Sequence, residues 1–153
     1  MPVQPVPDGY HTVTPYLIVD GAEQALEYYR MAFGARELLR MPDPQGRIEH
    51  AEIRIGDSII MLADEHHEMG YRGPRARGGT SVSILLYLAD VDAVFARAIS
   101  AGGKSLRPVA DQFYGDRMGT LEDPFGHVWT IGTHIEDVSP EEMEYRESTL
   151  RSR

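Results

Sequence analysis

Residues 114–132 read YGDRMGTLEDPFGHVWTIG, and the reading of this stretch decides the fold. Two runs of strand-forming residues meet at Asp123-Pro124-Phe125-Gly126. Pro124 fixes φ at a turn corner, and Gly126 supplies the positive φ that closes it. Thr120 on one side and Val128, Trp129, Thr130 and Ile131 on the other are β-branched or aromatic. The stretch is therefore a β-hairpin. A shorter echo lies upstream, where residues 47–55 and 58–63 flank Gly56-Asp57. Two hairpins closing two similar halves imply a duplicated fold.

The same grammar precedes each hairpin. Residues 13–19 (VTPYLIV) form an apolar strand, with Pro15 tolerable near its start. Asp20 is placed to cap a helix, with Glu23 at capping-box spacing. Ala22, Ala25, Leu26, Tyr29 and Phe33 make one stripe of that helix, which leaves Tyr28 nearer solvent, and Gly34 stops it. A short strand over 36–41 and a turn over 42–46 lead to the upstream hairpin. In residues 47–55, Ala51, Ile53 and Ile55 share one face and Ile48, His50, Glu52 and Arg54 the other.

The second half repeats this. A strand over 81–88 is followed by the cap Asp90, the stripe Val91, Val94, Phe95, Ala98 and Ile99, the stop Gly102-Gly103, and a strand over 104–109. Laying residues 14–35 on 83–104 sets helix on helix and Gly34 on Gly103. One period used twice is a duplicated module.

The class is thus α+β: two tandem βαβββ modules forming a cupped mixed sheet, plus a C-terminal helix. Residues 1–10 are an extended arm, 11–63 the first module, 64–79 a Gly- and Arg-rich joining loop, 80–134 the second module and 135–153 a tail. Ser139-Pro140-Glu141-Glu142 opens a helix expected from about residue 140 to 149. Each sheet carries one helix, so its bare face must meet another sheet or a ligand. Two sheets facing each other would enclose a cleft.

At 153 residues, with 42% hydrophobic residues, the chain has the bulk of one globular domain. Its net charge of −9 disfavours nucleic acid and anionic membrane as partners. There is no cysteine, hence no disulfide or thiolate chemistry. No leader pattern and no membrane-length apolar run is visible, which suits a cytoplasmic protein.

Paired modules that carry TPYLIVDGAEQALEYYRMAFGA (14–35), HAEIRIGDSIIMLADE (50–65) and YGDRMGTLEDPFGHVWTIGTH (114–134) resemble the vicinal oxygen chelate superfamily. More closely they resemble its PhnB-like branch, among the glyoxalase, bleomycin-resistance and dioxygenase relatives. The resemblance implies a divalent metal on the cupped face, held by His and Glu from the first and last strands of each module. Distance to the helix and to the DPxG turn puts Thr14, Met61, Ser83 and Thr130 at those places. A one-residue slip would put Val13, Leu62, Val82 or Trp129 there. A catalytic site for such ions needs about three ligands from His, Asp, Glu or Cys. The expectation is therefore no metal and no cofactor.

Other chemistry is concentrated in few residues. His50 and Glu52 share a strand face, and can be an acid–base pair, two metal ligands, or a hydrogen-bonded pair that holds the sheet. Arg117 can meet a planar or anionic ligand beside Phe113 and Tyr114, or pair with its neighbour Asp116 to pin a loop. Tyr16 shares parity with Thr14. His66-His67-Glu68 reads as solvated loop, His127 as a turn or sheet-edge partner, and Trp129 as core; His11 and His134 carry no assigned role.

The leading functional reading is metal-free binding or sequestration of a planar or aromatic molecule, an antibiotic-like one among the candidates. Tyr16, Met61, Phe113 and Tyr114 would be its walls, Thr14, Ser83 and Thr130 its polar lining, and His50, Glu52 and Arg117 its orienting groups. The resemblance implies a homodimer whose clefts use both chains. The alternative is an enzyme of the same superfamily, a lyase, isomerase or dioxygenase, that uses His50 and Glu52. A third reading is an interaction module with a filled cleft.

Overall fold

The computed structural model describes residues 2–153. The first module comprises β1 (Tyr16–Val19), α1 (Ala22–Phe33), β2 (Arg36–Pro42), β3 (Ile48–Ile55) and β4 (Ser58–Asp64). After a 3-10 turn (His67–Met69) and the one-turn helix α2 (Pro74–Arg77) comes the second module. It consists of β5 (Ser83–Tyr87), α3 (Val91–Ser100), β6 (Lys104–Asp111), β7 (Asp116–Glu122) and β8 (Val128–His134), and α4 (Pro140–Arg151) ends the chain. The sheets run β1-β4-β3-β2 and β5-β8-β7-β6. In each, the first strand is parallel to the last and the other neighbours are antiparallel. None of the helices is long and apolar enough to cross a membrane.

The duplicated βαβββ pattern and the C-terminal helix stand as the sequence implies, and Ser139 accepts from the Glu142 N–H at the start of α4. The sequence leaves open whether the two bare sheet faces meet within one chain or across two. The modules meet through their helices, α1 against α3, so the two bare sheet faces do not enclose a cleft within the chain. Tyr28 explains why. It is buried, and its hydroxyl donates to the Ala98 carbonyl across the helix pair at 2.9 Å. It therefore does not face solvent, because α1 is covered by a second helix that the periodicity of α1 alone does not reveal.

One core joins the modules. Tyr29 and Phe33 of α1 lie against Trp129 of β8, with ring centroids 5.2 and 4.7 Å away, and Phe125 of the closing turn packs on Tyr28 and Tyr29. Aromatic pairs of this kind add about 0.5–1.5 kcal/mol each beyond area burial. At their centre lies Asp123, 2% exposed. Its Oδ1 accepts the Phe125 and His127 N–H groups and shapes the turn. Its Oδ2 accepts the Tyr29 hydroxyl at 2.6 Å and the Trp129 indole N–H at 2.8 Å. Burial, reinforced by Asp123, pushes the Tyr29 phenol well above its ordinary range. Gly126 has φ 94°, as the turn requires.

Three local expectations are corrected. The first strand begins at Tyr16, and Val13 is exposed, because only from Pro15 onward does the chain have β4 to bond. Asp20 does not cap α1. Gly21 holds the cap position in a left-handed conformation, and Asp64 at the end of β4 supplies the acceptor for the Gly21 and Ala22 N–H groups. The other Asp64 oxygen accepts the Ile48 N–H, so one carboxylate joins a helix start to two strands. The joining segment is not a plain loop either, since it folds into the 3-10 turn and α2.

Candidate functional site

Alternation divides each sheet into a helix side and a bare side. On the first sheet Leu17, Val19, Ala51, Ile53, Ile60 and Leu62 belong to the core. Tyr16, Met61 and Glu52 share the opposite face, since Tyr16 pairs with Met61 and Met61 with Glu52 across adjacent strands. The end of this face opens into a groove of about 510 Å³. Tyr16, Ile18, Ile48, Ala63, Met69 and Tyr71 form its apolar wall, and Arg47, His66 and four carboxylates (Asp43, Glu49, Asp64, Glu65) line it. Asp43 pairs with Arg47 at 3.0 Å, Asp64 is committed to the α1 start, and Glu65 accepts the Gly73 N–H. That bond, ahead of the His67 ring, holds the Glu65 carboxyl below its usual range. The charge balance favours a neutral or cationic occupant over an anion. His66 Nδ1 is buried and has no hydrogen-bond partner.

Beside the groove runs a hydrogen-bonded chain of four side chains. Tyr10 donates to Glu52 Oε1. Glu52 Oε2 lies 2.8 Å from His50 Nε2, and His50 Nδ1 lies 2.8 Å from the Tyr16 hydroxyl. A carboxylate only accepts, so Nε2 carries a proton; in the neutral ring Nδ1 is then the acceptor, and the Tyr16 O–H donates to it. Glu52 is 6% exposed; its oxygens face partners rather than water. The Tyr16 phenol is raised above its ordinary range, first by partial burial and then by Tyr71. Tyr10 was not legible as a participant. It is the last residue of the N-terminal arm, and no periodicity ties it to β3.

The second sheet holds the remaining candidates on its own faces. Ser83 is exposed, and Thr130 bonds Thr120 at 3.0 Å. Phe113 and Tyr114 make an edge-on pair at 5.2 Å, with the Tyr114 hydroxyl 3.3 Å from Met118 Sδ. Arg146 of α4 donates to the Phe113 carbonyl. Arg117 is turned to the helix side of β7, where it donates to Asp92 of α3 and Asp111 of β6. These three bonds raise its guanidinium further. Of the two sequence readings of Arg117, the geometry is that of an ion pair, although with these partners and not with Asp116.

The proposed walls Tyr16 and Met61 thus share one face, while Phe113 and Tyr114 lie in the other module. Thr14, with Met61, lies in the first module; Ser83 and Thr130 lie in the second. Those four chelating-relative positions offer two hydroxyls, a third hydroxyl already bonded, and a thioether, spread over two modules, with Thr14 ahead of the first strand. Among the described residues, no three His, Asp, Glu or Cys side chains are grouped so as to hold a metal ion. The residues present do not fit the superfamily's divalent metal.

The histidines given structural or no roles have partners. His127 Nε2 lies 2.9 Å from the Ile18 carbonyl, linking the closing turn to β1. His11 contacts the Asp57 carbonyl. His134 lies between Asp116 and Asp137, 2.7 Å from each. Tyr87 also donates to Asp116.

A duplicated βαβββ scaffold hosts many unrelated chemistries, so it defines a class by fold and not by activity. The Glyoxalase/Bleomycin resistance protein/Dioxygenase superfamily model matches residues 10–131, and the chain belongs to that superfamily. An uncharacterized protein of Mycobacterium bovis is 42% identical over 135 residues, 86% of this chain and 89% of its own length. Among solved structures, TioX from Micromonospora sp. ML1 has a TM-score of 0.64 at 27% identity, covering 84% of this chain and all of TioX. A PhnB protein from Bacillus cereus has a TM-score of 0.64 at 19% identity over 80% of this chain and 99% of its own, a likeness of fold alone.

Proposed function

We propose that this protein binds or sequesters a small planar molecule without a metal, as a homodimer of the PhnB-like type. The observation that carries the reading is the groove beside Tyr16. It has apolar walls on one side and, among the described residues, no chelating set. Stacking on Tyr16 or Tyr71 suits an aromatic ring, and the four carboxylates select a neutral or cationic one.

The groove is open. Leu85 and Tyr87 leave the bare face of the second sheet 46% and 60% exposed. A second copy that lays this face over the first sheet would close the groove and bring Phe113, Tyr114, Ser83 and Thr130 towards Tyr16, Met61 and Thr14. Sedimentation equilibrium checks the dimer.

Thermal shift against neutral, cationic and anionic planar compounds tests the binding. Stabilisation by neutral or cationic members, lost in Tyr71→Ala, is expected; at a hundred times Kd it amounts to about 2.7 kcal/mol. Saturable stabilisation by a divalent ion, abolished by His50→Ala, would overturn the metal-free reading. A second reading, catalysis through His50 and Glu52, is favoured by one observation: the pair is hydrogen-bonded to a phenol that lines the groove.

A further inference from the structure

We propose that Tyr16, with His50 as its general base, is the nucleophile of a metal-free Tyr16–His50–Glu52 triad that takes an acyl group from an aromatic ester or similar activated carbonyl compound in the groove. The inference rests on the groove being a small-molecule site, and adds a reaction to it.

An activated nucleophile is recognised by a base within hydrogen-bond reach, itself oriented by a third group. Tyr16 has His50 Nδ1 at 2.8 Å, and His50 has Glu52 at 2.8 Å. Glu52 is in turn held by Tyr10, so its carboxylate is fixed from two sides. The chain has a direction. Its inner end is buried at Glu52, and its outer end is Tyr16, which is half-exposed and lines the groove. The Tyr16 proton is committed to His50, so the oxygen's lone pairs are left for a ligand.

The second module shows what the triad is not. There Tyr87 donates directly to Asp116, and the imidazole of His134 lies beyond the carboxylate. A phenol bonded to a carboxylate has no imidazole to receive its proton. Both sheets therefore carry Tyr, His and acid, yet only the first places the imidazole between the other two.

The step balances without a co-reactant. The Tyr16 oxygen attacks the carbonyl carbon while its O–H bond breaks and the proton passes to His50 Nδ1. The bond to the leaving aryl oxide then breaks, and the aryl oxide departs with the electron pair. The imidazolium, facing the Glu52 carboxylate, returns its proton to solvent or to the leaving group. Tyr16 and His50 act on the reacting atoms, whereas Glu52 and Tyr10 are positioning residues.

The test treats the full chain with p-nitrophenyl acetate, follows p-nitrophenolate release and maps the acetyl group by peptide mass. Tyr71 lines the same groove without an imidazole partner and is the internal control. Acetylation of Tyr16 at least tenfold faster than of Tyr71 is expected. Tyr16→Phe removes the site, and His50→Gln slows it about a hundredfold, the scale of a lost general base. Glu52→Gln slows it about tenfold and releases the Nε2–H tautomer, read from the imidazole ¹⁵N shifts of His50. Equal labelling of Tyr16 and Tyr71, or labelling of Tyr16 that His50→Gln leaves unchanged, would overturn the proposal. If His50→Gln fails to fold by circular dichroism, the Tyr16-to-Tyr71 ratio in the unaltered protein decides alone. Selective acetylation without any thermal shift by planar compounds would sink the binding reading and leave the triad. The reverse result would sink only the triad.

Discussion

His134 shows how much one side chain can carry without any signature in the sequence. Its ring is bonded first by Asp137 and then by Asp116, and both raise its pKa above the ordinary value. Asp116 is pulled the other way. Burial alone would raise its carboxyl, but the bonds from His134 and Tyr87, together with the charge of His134, hold it below the usual range. A raised histidine adds stability that is complete below its unfolded value of about 6.5 and fades as pH rises through the folded value. A depressed carboxyl adds stability present above about 3.9 and lost as pH falls through the folded value. The pair therefore supports the fold most between those limits. In His134→Gln, the fall in melting temperature from pH 6 to pH 8 should be smaller than in the unaltered protein; an unchanged slope would remove His134 from the account.

At the scale of elements, the closing turn is the best test. Gly126 needs φ 94°, and a Cβ there would lie 2.9 Å from the Pro74 Cβ of α2. Strain in the left-handed region costs about 1–2 kcal/mol, and the clash adds to it. Gly126→Ala should therefore lower stability by more than about 1 kcal/mol in urea, whereas Gly46→Ala, also at positive φ but with open space around its Cβ, should cost only the conformational part.

This turn also shows what the sequence could and could not reveal. The hairpins, the helix stripes and the stops at Gly34 and Gly103 follow from local chemistry, and local chemistry is written in order along the chain. The burial of Tyr28, the capping of α1 by Asp64 and the tie from Tyr10 to Glu52 join residues 70, 42 and 42 positions apart, and no pattern within one element encodes them. For the same reason His50 and Glu52 were legible as neighbours on a strand, while their link through Tyr16 to the groove was not.

For the molecule as a whole, Asp123 decides how the halves behave. The second module supplies the carboxylate; the first supplies the Tyr29 hydroxyl that donates to it. Asp123→Ala would leave that hydroxyl, an indole N–H and two backbone N–H groups without their acceptor inside the core. Buried donors left unpaired cost about 1–3 kcal/mol each, with some relief by relaxation. The variant should lose about 3 kcal/mol or more, read from chemical denaturation. In the unaltered protein, near-UV and far-UV signals should report a single transition. Two separated transitions would show that the modules fold independently.

Tandem copies begin interchangeable, each able to stand in for the other. This pair no longer is: one copy lends a phenol, the other an acid, and the strand carbonyl of Ile18 is read by the imidazole of His127. A chimera built from two first halves would set a phenol where Asp123 now accepts one, and one built from two second halves would set a carboxylate where Tyr29 now donates, so neither would reproduce the joint at the centre of the core.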